Sequence, residues 1–213
     1  MKTAQRILAT SLELFNEHGE SSVTSVDIAN ELDISPGNLY YHFKGKEIII
    51  DALFELHTQQ FDAILSADSA AELSIEEQFY YFYVILEKIH LYRFLYRSPM
   101  DLVEKYPSVA KGTSKLVKRL ESTLSALFLA AREREQLRFD AAEHTSLVEL
   151  TSMVMIQSTQ YQQLKQRSDD DNQIYNALAQ LLTLLMPRLQ VSVENLNQLQ
   201  QSIALHAFTR NDE

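Results

Sequence analysis

Apolar residues recur along this chain at spacings of three and four, the signature of amphipathic helices rather than strands. Thr3 is a candidate cap for a first helix over 4–17, with Ile7, Leu8, Leu12 and Phe15 as its stripe, and Gly19 stands where a left-handed residue would end it. Thr24 with Asp27 forms a capping signal, and Ile28, Ala29 and Leu32 follow at helical spacing. Asp33-Ile34 carries a turn; Ser35 caps the next helix and Pro36 takes its first position, where a missing N–H costs nothing. Lys46 opens a fourth helix to about residue 66, with Ile49, Leu53, Leu56, Gln60 and Ile64 on one face. Ser74 with Glu77 starts a fifth, along which Ile75, Phe79, Phe82, Leu86 and Ile89 form a buried stripe. Beyond an aromatic stretch broken by Pro99, short and long helices are predicted over 101–106 and 108–135. Asp140 with Glu143 then opens a helix over 141–167. Its middle, 147–156, is apolar nearly all round, so both of its sides must be covered. An acidic loop at 168–171 leads into a helix over 172–186, and a last amphipathic helix is predicted over 193–208. The fold class is all-α.

The helix that starts at Ser35-Pro36 is oddly built for a structural element. Leu39 and Phe43, four residues apart, can reach a core, which leaves Pro36, Gly37, Asn38, Tyr40, Tyr41 and His42 on the surface. Adjacent exposed tyrosines beside an asparagine gain little from water. They suit phosphates, base edges and thymine methyls. The pair of short helices is therefore a helix-turn-helix with its reading helix second.

Phe15, Gly19, Thr24, Ile28-Ala29, the run Ser35 to Phe43 and Lys46-Glu47 together make residues 3–50 resemble the DNA-binding domain of the TetR family of bacterial transcriptional regulators. The resemblance implies a helix-turn-helix domain over 1–50 and an all-helical domain for effector binding and dimerisation over 51–213. It implies a homodimer on a palindromic operator in double-stranded DNA, most often a repressor released by a small effector. On the matching residues it places Thr24 and Ser25 on phosphate, Gly37, Asn38 and Tyr40 at bases or their edges, and Tyr41, His42 and Lys46 on the backbone. Ser35, Pro36 and Lys44 complete the expected DNA face. The family's four-helix interface falls on 141–167 and 172–186, whose surplus apolar residues include Leu150, Val154, Tyr161, Leu178, Leu182 and Leu185.

Charge complicates this picture. The net charge is −10, and residues 1–66 hold Lys2, Arg6, Lys44 and Lys46 against ten acids, 4 − 10 = −6. A DNA binder is ordinarily basic, so modest non-specific affinity is expected, with helix N-termini and hydroxyls meeting the phosphates. The acidic head keeps open a second class, a helical adaptor that uses the same motif on a protein partner. No cysteine is present, and no apolar run reaches the ~18 residues of a membrane span, which fits a cytoplasmic protein. No phosphate loop, nucleophile elbow or triad pattern appears, so neither an enzyme nor a cofactor is expected. Glu87 and His90 make half of a di-metal motif whose second half is missing, so no metal is expected either. Tyr83, Glu87, His90, Phe128, Gln157 and Tyr161 are instead candidate polar and aromatic groups around a small hydrophobic effector.

Overall fold

The computed structural model describes residues 2–65, 73–165 and 173–192, together with 194, 197, 198 and 201. The acidic loop and nearly all of the predicted last helix lie outside the described residues. Three small elements follow the first helix, and each boundary has a local cause. Helix α1 is Thr3–His18. Its cap is Lys2 rather than Thr3, because Gln5 Oε1 accepts from the Lys2 N–H and draws the helix start forward by one residue. Gly19 ends α1 at φ 84°, a conformation in which a side chain would be strained. A single 3-10 turn, Glu20–Ser22, leads to α2, Ser25–Glu31, and α3, Pro36–His42. Helix α4, Lys46–Ile64, begins in this head and continues into the body.

The body contains α5 (Ile75–Leu91), α6 (Phe94–Arg97), α7 (Pro99–Lys105), α8 (Pro107–Glu133), α9 (Ala141–Leu164) and α10 (Gln173–Leu185). The predicted capping boxes at Ser74 and Asp140 are both formed. Pro99 and Pro107 differ from expectation. Each stands at the first position of a helix, where proline is at home, so the aromatic stretch holds the extra turn α6 and α7 starts two residues early. Helices α8, α9, α10 and α5 enclose the main core around Phe82, Leu120, Leu124, Phe128, Met155 and Leu181. Each such side chain contributes roughly 1.5–3 kcal/mol by leaving water. Among the described residues there is no strand, just an antiparallel bridge between Leu137 and Leu189. None of the described helices is long and apolar enough to cross a membrane.

Helix α9 buries Leu147, Val148 and Met155 but mixes many polar residues among them, and it leaves an apolar stripe outside. Thr151, Ser152, Ser158, Thr159 and Gln162 are buried on its inner side, whereas Leu150, Met153, Tyr161 and Leu164 are exposed, Leu164 by 78%. Thr151 and Ser158 satisfy their hydroxyls on the backbone carbonyls of Leu147 and Met155. The Gln162 carboxamide is 1% exposed, and neither of its polar atoms has a hydrogen-bond partner among the described residues. Where α4 crosses α8, Gly112 lies under the ring of Phe54, and a methyl group there would overlap the ring. A mid-helix glycine costs up to about 1 kcal/mol of helix propensity; here it allows the head-bearing helix to seat closely on the body.

Candidate nucleic-acid interface

The reading motif is built from local signals. The Thr24 hydroxyl accepts from the Asp27 N–H at 3.2 Å, and the Asp27 carboxylate accepts from the Thr24 N–H at 2.8 Å and hydroxyl at 2.6 Å. The bonds from the Thr24 hydroxyl and backbone hold the Asp27 carboxyl below its ordinary pKa. The turn after α2 is closed by the Ile34 N–H donating to Ala29 O at 3.0 Å, with Asp33 at φ 54°. Asparagine and aspartate tolerate that region better than most residues. Ser35 Oγ then accepts from the Asn38 N–H at 3.1 Å, and Pro36 sets the first turn of α3.

Two anchors hold α3 down: Leu39 is 1% exposed and Phe43, just past its end, 9%. Ser35, Pro36, Gly37, Asn38, Tyr40, Tyr41, His42 and Lys44 are all exposed, Tyr40 by 60% and Tyr41 by 82%. The Tyr41 and His42 rings meet edge to face at 5.3 Å. Thr24 is exposed and Ser25 half-buried at the start of α2, close to the Asp27 carboxylate that already complements that helix dipole.

Lys46 is the exception. Its ammonium turns inward, donating to Glu20 O and Val23 O at 2.9 Å each and pairing with Glu20 Oε1 at 2.7 Å. All three protons thus have acceptors within the chain. In this structure Lys46 braces the turn before α2 instead of facing solvent, so the backbone contact expected of it would cost these three bonds. A lysine at a helix start carries no local signal that separates the two roles. Glu20, which sequence periodicity never singled out, is the centre of that brace. Burial pushes its carboxyl up, but the bonds from Lys46, Tyr106 and Lys105 outweigh this and leave it below its ordinary pKa.

The six candidate effector residues are not brought together. Tyr83 donates to Glu87 at 3.1 Å, and both, with His90, lie half-buried on α5. Phe128 is fully buried in the core, while Gln157 and Tyr161 are exposed on the outer side of α9. The interface residues divide in the same way. Leu150, Val154 and Tyr161 lie on the outer side of α9, Val154 half-buried and the other two exposed. Leu178, Leu182 and Leu185 are 2–5% exposed because they fill this chain's own core, so they are corrected here from seam to core. The half-buried or exposed side of α10 carries Asn176, Ala179, Gln180, Thr183 and Leu184 instead.

The family model for bacterial regulatory proteins of the tetR family matches residues 7–53, and the TetR model, described as a bacterial transcriptional repressor, matches residues 57–196. The HTH-type transcriptional regulator UidR of Escherichia coli (strain K12) is 43% identical over 51 residues, 24% of this chain and 26% of that protein. That match therefore spans about a quarter of the curated relative's length. The crystal structure of a TetR-family transcriptional regulator from Marinobacter aquaeolei VT8 superposes with a TM-score of 0.81 at 25% identity, covering 97% of this chain and 99% of that one. The regulator PfmR of Thermus thermophilus, at 18% identity, shares the fold with a TM-score of 0.65 over 85% of this chain and 97% of its own. An N-terminal helix-turn-helix on an all-helical body, matched by both family models, makes this chain a member of the TetR family of bacterial transcriptional regulators.

Proposed function

We propose that this regulator is a cytoplasmic repressor which, as a two-fold homodimer, reads a palindromic operator with α3 and leaves it when a small, mostly hydrophobic molecule occupies the body. The observation that carries the reading is the solvent face of α3, where two tyrosines and an asparagine stand exposed on a helix with two core anchors. Gly37, Asn38 and Tyr40 read base edges in the major groove; Tyr41, His42, Lys44, Ser35 and Pro36 position the phosphates, with Thr24 and Ser25 at the neighbouring helix start. One such head reads few base pairs, so specificity needs two half-sites about 34–36 Å apart, or a multiple of that.

The second copy docks on the outer side of α9. Leu150, Met153, Gln157, Tyr161 and Leu164 recur there every three or four residues, flanked by Val154 and by Ala179, Thr183 and Leu184 of α10. A stripe of this kind costs free energy in water and is released from it by an identical stripe across a two-fold axis. For the effector, Gln162 is the strongest support, because a buried carboxamide with no partner among the described residues costs about 1–3 kcal/mol until something bonds it. Tyr83, Glu87 and His90 supply further polar tips on α5. A ligand that converts a 1:99 balance of head spacings to 99:1 must favour one spacing by about 5.5 kcal/mol.

Selection of the full-length protein on random duplexes tests the reading. It should enrich one palindrome; recovery of unrelated or asymmetric sequences would defeat it. Titrating hydrophobic compounds into the selected complex then identifies the effector by loss of operator binding.

A further inference from the structure

The head meets the body through more than the continuous helix α4. Asn16 of α1 stitches two body elements, donating from Nδ2 to Leu91 O at 2.9 Å and accepting at Oδ1 from the Phe94 N–H at 3.0 Å. Phe15 packs on Phe94 at 5.4 Å between ring centroids. A third tie reaches the reading motif itself. The Glu20 carboxylate, 8% exposed, gathers three donors on one oxygen: Lys46 Nζ at 2.7 Å from its own head, and Lys105 Nζ at 2.9 Å and Tyr106 Oη at 2.5 Å from the body. One negative charge thus faces two ammonium groups and a phenol, and charge-assisted bonds of this length are the strong kind.

What this cluster holds decides its meaning. Lys46 also fastens Glu20 O and Val23 O, so the turn 20–23 moves with the start of α4. That turn ends one residue before Thr24, the cap of α2, and α2 leads directly into α3. On the other side, Lys105 closes α7 and Tyr106 stands at the cap position of α8, the long helix that packs against α9 and, through Gly112, against Phe54. Beside the cluster lies a cleft of about 250 Å³ between Gly19, Ser21 and Ser22 of the head and Arg97, Ser98 and Asp101 of the body. The head is therefore not seated flush there. Arg97 Nη1 spans the cleft edge to Glu17 O at 3.4 Å, and the Glu20 cluster stands beside it as the charged tie between head and body.

We propose that Lys105 and Tyr106 clasp Glu20 to set the angle of the reading head, which makes them positioning residues for operator binding although neither belongs to the reading surface. The inference rests on the two-headed reading above, because a head's angle matters to a duplex when a second head must land in register with it. Releasing the clasp widens the range of head spacings. It weakens the correctly spaced operator and leaves a single half-site untouched.

Full-length Tyr106→Phe and Lys105→Gln variants test this against three duplexes: one half-site, the selected palindrome, and palindromes with one or two base pairs added or removed between half-sites. Tyr106→Phe should bind the half-site within two-fold of wild type, bind the palindrome about five- to ten-fold more weakly, and lose most of the preference among spacings. Lys105→Gln, at a lysine whose side chain is half exposed, should shift the same quantities in the same direction by less and without threat to the fold. Lys105→Gln combined with Tyr106→Phe should lose less than the sum of the two single losses, since both act on one carboxylate. Equal losses on half-site and palindrome would mean a general structural role and overturn the proposal, as would wild-type behaviour at every spacing. A wild-type chain with no preference among spacings would instead sink the two-headed reading, and the clasp with it.

Discussion

Helices α3 and α9 are both badly dressed for water, in opposite ways. Helix α3 is seven residues long, is pinned by Leu39 and Phe43, and shows solvent a polar and aromatic face. Helix α9 is 24 residues long, buries threonines, serines and a glutamine beside Leu147, Val148 and Met155, and shows solvent leucines, a methionine and a tyrosine. Neither face is explained by packing among the described residues. An exposed tyrosine pair beside an asparagine suits a ligand with phosphates and base edges, whereas an exposed aliphatic stripe suits another aliphatic stripe. The contrast shows how partner chemistry is read from the surface a helix leaves uncovered, once the buried side is known.

The largest expected effect separates inner from outer positions. Leu178→Glu with Leu182→Glu places two carboxylates in the core and should cost more than about 5 kcal/mol, abolishing a cooperative melt. A folded monomer from that pair would return these leucines to the seam. Next comes acid. Burial lowers the pKa of His57 to about 3 from an ordinary 6.5, with its Nε2 against the Tyr96 hydroxyl at 2.8 Å. The unfolded chain takes up that proton below about pH 6.5 and the folded chain does not, so this stability is present above pH 6.5 and lost as pH falls towards 3. By linkage the loss is on the order of 3 kcal/mol at pH 4.5. Melts at pH 7 and 4.5 check it, because His57→Gln should flatten the difference by about that amount; an unchanged difference would place the acid sensitivity elsewhere.

Outer-face changes should be gentler on the fold. Leu150→Glu with Met153→Glu sets like charges across the proposed seam and should yield folded monomers by sedimentation, with dimerisation weakened by at least about 3 kcal/mol. On α3, Tyr40→Ala should cost about 1–3 kcal/mol of operator binding and relax sequence preference, with the melting temperature unmoved. Smallest of all, Lys44→Ala should weaken every duplex alike and lower the salt slope by about 0.9 for each phosphate it ceases to neutralise, whereas Lys46→Ala should lower the melting temperature of the head. A pure salt-slope effect at Lys46 would mean that its three internal acceptors release it on DNA.

The head was the more legible half of the sequence because its signals are local. Thr24 with Asp27, Ser35 with Pro36, and the four-residue spacing of Leu39 and Phe43 each state their role within one helical turn, and the structure forms all of them. The body resists such reading for physical reasons. Periodicity finds an apolar stripe but does not say which neighbour covers it, so the surplus on 172–186 suggested a seam where Leu178, Leu182 and Leu185 fill the chain's own core. The polar residues on the inner side of α9 and the apolar stripe on its outer side are invisible in a segment apolar nearly all round. Glu20 and Tyr106 meet across 86 residues, and no window of sequence joins them. Proline is ambiguous too: Pro99 reads as a break from sequence and opens a helix in the fold.

On the proposed reading both faces await partners, and the second is needed for the first to read a whole operator. The direct test is to titrate the Leu150→Glu, Met153→Glu monomer and the wild-type dimer against the selected palindrome and against one isolated half-site. Both proteins should bind the half-site alike, and the monomer should bind the palindrome at least about 100-fold more weakly, the equivalent of about 2.7 kcal/mol. A folded monomer that binds the palindrome as tightly as the dimer would contradict it.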